Sequence, residues 1–446
     1  MTLQIEHSRA GCQADEFAPD PRHPFIPSEF QRLAANRLLT RRSSTRRNPK
    51  ITHLIGALGG GGAERQLVNL VTALAARNFD VSVLTLEPLE GPCAFRLPAL
   101  QASAVPAYAI DRISDPASSL KSLPHIEALI ARLPNWLKPW PFQIAQTLAA
   151  DPPDLLHIWL DFTNITGAIA ALLLGIPHVI LSTRSVNPTH FSYMNTPWFK
   201  PWYAFLATVP DIRFLNNSEA GRTDYAAWMQ VLEDRFEVIR NGIDTELYNS
   251  SRRMGGDAFR HQLGMRPDEL LLTGVFRLSE EKRPFLFLEV AAQVMSSHAQ
   301  LHSLILGGGP MESVLQSQIA SSPFANRIHL LPPRNDMPAV YAASDLLLQT
   351  SILEGTPNTL LEAQSAGCPV VTTSGGGAGE CLLNGHTGFI ADTAKHLSEK
   401  VSQILDDPTL RKHFSDNGRK FVREHFAMDR MVQNYISLYS ALVARS

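Results

Sequence analysis

Along the chain, short apolar runs alternate with stretches whose apolar positions recur every three or four residues, and this rhythm begins at Ile51. Ile51 to Leu58 is apolar enough for a parallel strand buried on both faces. After Gly59 to Gly62, the residues Leu67, Leu70, Val71 and Leu74 fall at i, i+3, i+4 and i+7, which predicts an amphipathic helix. Strands follow at Val81 to Leu86, Leu155 to Leu160 and His178 to Thr183, with a buried helix ending at Gly175 between the last two. A second series opens near Leu270, with strands at Leu271 to Phe276, Leu304 to Leu306, Ile328 to Leu331, Leu346 to Gln349 and Val370 to Thr372. Pro284 begins a helix there, at a position where its missing N–H is harmless. Strands alternating with helices predict parallel sheets covered on both faces. The polar, glycine-bearing segment from Asn241 to about Gly256 is the expected hinge, so the pattern predicts an α/β chain of two doubly wound domains facing each other across a cleft.

Length agrees with this division, since 446 residues at about 150 per domain allow two or three. The N-terminal residues 1–50 lack periodicity and read as an extension outside the fold. Its run of Arg41, Arg42, Arg46, Arg47 and Lys50 is a solvated tail or an attraction for an anionic membrane surface. Lys plus Arg at 40 against Asp plus Glu at 42 leaves a net charge of −2, which argues against a nucleic-acid coat protein. Cys12, Cys93, Cys368 and Cys381 are too scattered for a metal site, and a reduced, cytosolic setting fits them. The longest apolar stretch, Ile165 to Leu181, is cut by Gly175 and Pro177, and no signal peptide is read at the N-terminus.

Glycines lie between strand and helix at Gly59 to Gly62, Gly307 to Gly309 and Gly375 to Gly377, where a phosphate can approach backbone amides or tight packing alone can demand them. The first is not G-x-G-x-x-G, and no acidic residue follows at ribose distance, so a nicotinamide or flavin site is poorly supported. The stretch Glu354 to Glu362 is more specific. Pro357 suits a first helical turn, Asn358, Thr359 and Leu360 offer amides, and Glu362 lies one turn in, where a carboxylate can accept both hydroxyls of a ribose. The bland alternative is two glutamates favourably placed at a helix start. Arg277 and Lys282, in the loop after Leu271 to Phe276, suit a diphosphate or form a surface cluster with Glu280 and Glu281.

Taken together, Gly274 to Arg283, the GGGP turn at Gly307, Glu354 to Glu362, Pro369 to Gly388, Arg240 to Asp244 and the Gly59 to Glu64 turn resemble the retaining GT-B glycosyltransferases of the family 4 type. The likeness spans residues 51–446 in consistent order. It implies a GT-B fold with an acceptor-side Rossmann-like domain over 51–245, a nucleotide-sugar-binding domain over 246–425, and a C-terminal helix at 426–446 returning to the first domain. It also implies that Glu362 holds the ribose, that Glu354 contacts the donor sugar and that Arg277 and Lys282 neutralise the diphosphate. Gly61 and Gly62 meet the phosphates, Asn358, Thr359 and Leu360 contribute at the helix start, and Arg334 lies near the base. No metal and no other cofactor is implied.

One position departs from the family. A histidine is usual just after the strand at His178, but Ser182-Thr183-Arg184-Ser185 stands there, so Arg184 or Ser185 is the expected substitute. His157, read mainly as a structural histidine, and Asp161 are alternatives. Trp136, Trp140, Trp198, Phe199, Trp202 and Tyr203, near Lys138 and Lys200, are either core or an interfacial patch for peripheral membrane contact. The expected activity is transfer of a sugar from a nucleotide-diphosphate donor, a UDP-sugar first, to a glycan or lipid-linked acceptor at the cytoplasmic face, without nucleic acid. The alternatives are a GT-B synthase or phosphorylase, and a silent nucleotide-sugar-binding subunit of a membrane synthase.

Overall fold

The computed structural model describes residues 26–27, 30–32, 48–110, 128–250 and 255–444. They form two compact units, one comprising residues up to 217, 221–239 and 432–446, the other 218–220 and 240–431.

The first unit is built on a seven-stranded sheet in the order β3-β2-β1-β4-β5-β6-β7. Its strands are β1 (Lys50–Ile55), β2 (Asp80–Thr85), β3 (Ala107–Ala109), β4 (Leu155–Trp159), β5 (His178–Ser182), β6 (Ile212–Asn216) and β7 (Phe236–Val238), all parallel. The helices used below are α1 (Gly62–Ala75), α2 (Asp161–Leu174), α3 (Phe199–Leu206) and α4 (Glu219–Met229). The second unit carries a parallel sheet in the order β10-β9-β8-β11-β12-β13. It consists of β8 (Leu270–Val275), β9 (Leu301–Leu306), β10 (Ile328–Leu331), β11 (Leu346–Gln349), β12 (Val370–Thr372) and β13 (Gly388–Ile390), with α5 (Pro284–Met295), α6 (Met337–Ala343) and α7 (Asn358–Ala366) among its helices. The last helix, α8 (Met428–Val443), gives its residues from Val432 onward to the first unit.

In both sheets the strand order reverses at one point, between β1 and β4 and between β8 and β11. Crossover helices leave opposite faces on the two sides of that point, so the loops beyond the carboxyl ends separate and leave a crevice for a ligand. Central strands are buried along their whole length, which is why they read as continuous apolar runs.

Several expected boundaries move. β1 ends at Ile55 rather than Leu58, because the chain leaves the ladder and Leu58 N–H donates instead to the Cys93 carbonyl at 2.8 Å. β9 starts at Leu301, three residues early, with the buried polar His302 and Ser303 interrupting the apolar pattern. The short strands β3, β6, β7 and β13 carried no pattern that singled them out. The expected hinge holds a helix at Thr245–Ser250, and its residues 251–254 lie outside the described ones.

The N-terminal extension is not wholly outside the fold. Phe30 is completely buried and meets the Trp202 ring edge-on at 6.0 Å. Arg41, Arg42, Arg46 and Arg47 lie outside the described residues, whereas Lys50 begins β1 and pairs with Asp151 at 2.6 Å. The aromatic cluster is core: Trp198, Phe199, Trp202 and Tyr203 are buried, and Trp136 and Trp140 pack against them half-buried. For Trp198, Phe199, Trp202 and Tyr203 the interfacial reading is overturned, since rings at 0 to 6% exposure present no face to a membrane. No described helix is long and apolar enough to cross one.

Candidate functional site

In the second unit, chemistry gathers where the sheet order reverses. The loop after β8 carries Arg277, Lys282 and Arg283, and the loop after β11 carries Glu354. Arg283 adopts a left-handed backbone (φ 50°) and its Nε–H and Nη2–H donate to the Thr350 and Ser351 carbonyls at 2.5 and 3.2 Å. Thr350 Oγ1–H returns a bond to the Lys282 carbonyl at 2.9 Å. These bonds lock the two loops together, so Lys282 Nζ reaches Glu354 Oε1 as a close, partly buried ion pair. Gln349 Nε2 donates to the same oxygen at 3.2 Å, and Thr359 Oγ1–H donates to Gln349 Oε1 at 3.0 Å.

The glycines around this pair are there for space. A Cβ on Gly375, Gly376 or Gly377 would lie 1.8, 2.2 or 2.1 Å from a carbonyl oxygen of the 352–355 loop. Gly376 also has φ 61°, and Gly377 N–H donates to the Glu354 carbonyl at 2.9 Å. Gly307 plays the same part opposite, where a Cβ would sit 1.9 Å from the Phe276 carbonyl oxygen. Tight packing and ligand access thus coincide: the turns that bring Glu354 and Arg277 to the sheet edge admit no side chain.

Helix α7 starts at Asn358, behind Pro357. Asn358 Oδ1 accepts from Asn241 Nδ2 at 2.8 Å, and Asn241 also donates to the Thr356 carbonyl at 3.0 Å. Leu360 is fully buried, so only its backbone can serve a ligand. Glu362, at 2% exposure, lies deeper than its sequence position suggested, and its Oε2 accepts the Tyr341 hydroxyl from α6 at 3.0 Å. Arg334 stands apart from this group. Both its Nε–H and Nη2–H donate to Asp336, at 2.7 and 2.6 Å, which raises the guanidinium's pKa and lowers the carboxyl's, and it lies 5.1 Å from the Phe259 ring centre.

In the first unit, Gly61 caps α1 and Gly62 opens it. The Glu64 carboxylate folds against this turn, where a Cβ on Gly61 would sit 2.2 Å from its Oε2. Burial raises the Glu64 pKa, opposed by its own backbone amide and by Arg96. Arg184 turns inward. Its guanidinium lies 4.8 Å over the Trp159 ring and donates to the Tyr435 hydroxyl at 3.4 Å. His157 is wholly buried, with Nδ1 bonded to the Tyr439 hydroxyl at 2.7 Å and Nε2 to the Ser182 hydroxyl at 2.8 Å. Burial, followed by the neighbouring His53 and Arg184, holds its pKa well below the ordinary imidazole value. Asp161 accepts from the Tyr203 and Tyr225 hydroxyls at 2.6 and 2.7 Å, and burial raises its pKa. His157 and Asp161 are therefore satisfied inside the unit and tie β4 and α2 to their neighbours.

Sequence reasoning missed Gln349 and Tyr341, and gave no site role to Asn241 within the Arg240 to Asp244 stretch; each is a polar residue buried below 5% next to a singled-out partner. A glutamine ending an apolar strand is the kind of signal that could have found the first. Among the described residues, no group of three or more His, Cys, Asp or Glu is placed to hold a metal ion.

Two family models match the chain in tandem: Glycosyltransferase Family 4 over residues 60–247 and Glycosyl transferases group 1 over residues 257–421. The chain is 24% identical over 402 residues to the Vi polysaccharide biosynthesis protein VipC/TviE of Salmonella typhi, covering 85% of this chain and 70% of that protein. It is 26% identical to the UDP-Gal:alpha-D-GlcNAc-diphosphoundecaprenol alpha-1,3-galactosyltransferase of Escherichia coli, over 65% of this chain and 76% of the relative. Among solved structures, Anabaena HepE in complex with UDP-glucose superposes with a TM-score of 0.71 at 22% identity, over 88% of this chain and all of that one.

Proposed function

The chain belongs to the GT-B glycosyltransferases of the family 4 type, and from that premise we propose that it transfers a sugar from a UDP-sugar to a glycan or lipid-linked acceptor in polysaccharide synthesis, with retention and without a metal. The observation that carries this reading is the Lys282–Glu354 pair, steadied by Gln349, at the point where the β8–β11 order reverses.

As the bond from the sugar C1 to the diphosphate oxygen breaks, negative charge grows on the leaving group and positive character on the sugar. Lys282 and Arg277 meet the first. The amides of Thr359 and Leu360 at the start of α7 add donors that need not reorganise. The Glu354 carboxylate, held through one oxygen, offers acceptor capacity to the sugar hydroxyls. Glu362, fixed by Tyr341, takes the ribose. Metal independence follows from assigning the diphosphate's charge to Arg277 and Lys282. Retention follows from attack of the acceptor hydroxyl on the face the diphosphate leaves, its proton passing to the departing phosphate oxygen. The UDP preference is supported by Anabaena HepE, solved with UDP-glucose, and a lipid-linked acceptor by the Escherichia coli relative, whose name gives a diphosphoundecaprenol-linked sugar. That acceptor implies work at the cytoplasmic membrane face.

Nucleotide release from UDP-, GDP- and ADP-sugars, with EDTA present and Glu354→Gln as control, tests this. Release of UDP from one donor, lost in the variant, is expected. Tight donor binding without any release would favour a silent binding subunit, and binding of no donor would overturn the reading.

A further inference from the structure

The loop after β5 carries an arrangement that the donor site does not use. Asn187 begins a short 3-10 turn, Pro188–His190, and its buried side chain accepts from the Thr189 amide at 3.0 Å. Asp224, in α4, gathers this loop. Its Oδ2 accepts from the Asn187 backbone amide at 2.6 Å and from Asn187 Nδ2 at 2.7 Å, while its Oδ1 lies 2.8 Å from His190 Nε2. A carboxylate can only accept, so Nε2 carries a hydrogen toward Asp224, and Nδ1 is left as the ring's second hydrogen-bonding position. Among the described residues Nδ1 has no partner, and the imidazole is 38% exposed. Three residues on, Tyr193 stands 51% exposed, its ring centre 6.1 Å from that of the buried Phe191. Backbone bonds from Met194 and Asn195 to the Phe191 carbonyl, both 2.9 Å, close the turn beneath it.

The loop lies beyond the carboxyl end of β5, and α4 follows the neighbouring strand β6, so both groups belong to the ligand-facing edge of this sheet. An exposed aromatic ring beside a hydrogen-bonding group of fixed orientation matches the two faces of a pyranose, C–H groups for the ring and hydroxyls, which both donate and accept, for the imidazole nitrogen. A free surface imidazole would lose orientational freedom on binding, but Asp224 has already fixed this one.

We propose that His190 and Tyr193 form the subsite for the acceptor's terminal sugar, His190 Nδ1 hydrogen-bonding a hydroxyl and Tyr193 stacking on the ring. The inference rests on the glycosyltransferase reading and deepens it. Asp224 is a structural support for the loop, and the two contact residues carry the recognition.

Saturation-transfer NMR with methyl α-D-glucopyranoside, methyl α-D-galactopyranoside and methyl N-acetyl-α-D-glucosaminide tests it on the full chain, with UDP affinity recorded for every variant. At least one glycoside is expected to bind, and His190→Ala and Tyr193→Ala are each expected to weaken it about tenfold, with Tyr193→Phe and His190→Gln restoring much of the loss. UDP affinity should stay unchanged in all four, and thermal unfolding followed by circular dichroism should show that they fold. Binding of none of the glycosides, or equal binding by the alanine variants, overturns the subsite whether or not UDP binds. Loss of UDP binding by the unaltered chain would instead strike at the donor reading.

Discussion

At the scale of single residues, the roles proposed for Lys282 and Glu354 divide binding from chemistry. Glu354→Gln keeps the shape and removes the charge, leaving the ammonium with a neutral partner. On the proposed reading, sugar transfer is expected to fall by about 10²-fold or more while UDP affinity changes little, because UDP lacks the sugar that Glu354 is proposed to contact. Lys282→Met should lower kcat by a similar factor and weaken UDP binding as well, since on that proposal the ammonium is set against the diphosphate in both states. Steady-state kinetics beside calorimetric UDP titration separates the two. Tyr341→Phe deletes one hydroxyl from the buried Glu362 carboxylate. Thermal unfolding should show a loss of about 1–3 kcal/mol, with weaker nucleotide binding as the ribose acceptor loosens.

At the scale of elements, the sequence pattern located the longer central strands of both sheets because burial on both faces gives an unbroken apolar run, whereas the short β3, β7 and β13 and the strand β6 escaped it. It placed their ends less well. β1 stops three residues before the apolar run does, since Leu58 stays buried while its amide bonds the loop near Cys93. The glycine turns were legible as turns, yet their cause lay elsewhere in the chain. Gly376 is glycine because the Glu354 carbonyl lies where a Cβ would go. Gly376→Ala should therefore displace the Glu354 loop and lower both stability, by about 1–3 kcal/mol, and transfer; urea unfolding with an activity assay checks both. The N-terminal segment was misjudged for a related reason. Phe30 is an isolated apolar residue without periodicity, and only its contact with Trp202 shows that it belongs to the core. Phe30→Ala is expected to destabilise the first unit by about 3–5 kcal/mol, read by urea unfolding.

At the scale of the whole molecule, two buried histidines build an acid sensitivity into the first unit. His53 is fully buried in β1, its Nδ1 accepting from Trp159 Nε1–H at 3.2 Å, and burial pushes its pKa down to about 3. His157 beside it is depressed as well, with ring centres 4.9 Å apart. Both rings are neutral in the fold, whereas in the unfolded chain they titrate near 6.5. Below that value the unfolded state binds more protons, so stability is full above about pH 6.5 and declines as pH falls toward the folded values. The slope is about 1.4 kcal/mol per pH unit for each histidine. Urea unfolding of the first unit between about pH 7 and pH 5 should show this slope, and His53→Phe should flatten it.

By itself the sequence determined the α/β class, the positions of most strands, the glycine turns and the two stretches that hold Lys282 and Glu354. Apolar periodicity and the conformational needs of glycine and proline act over a few residues and are written locally. Only the tertiary structure decided the partners: Lys282 with Glu354 across 72 residues, Tyr341 with Glu362, and His157 with Tyr439 across 282. It also turned Arg184 inward and set His190 against Asp224. The physical reason is that these pairings depend on which strand lies beside which and in what register, a property of the closed sheets that no window of sequence contains.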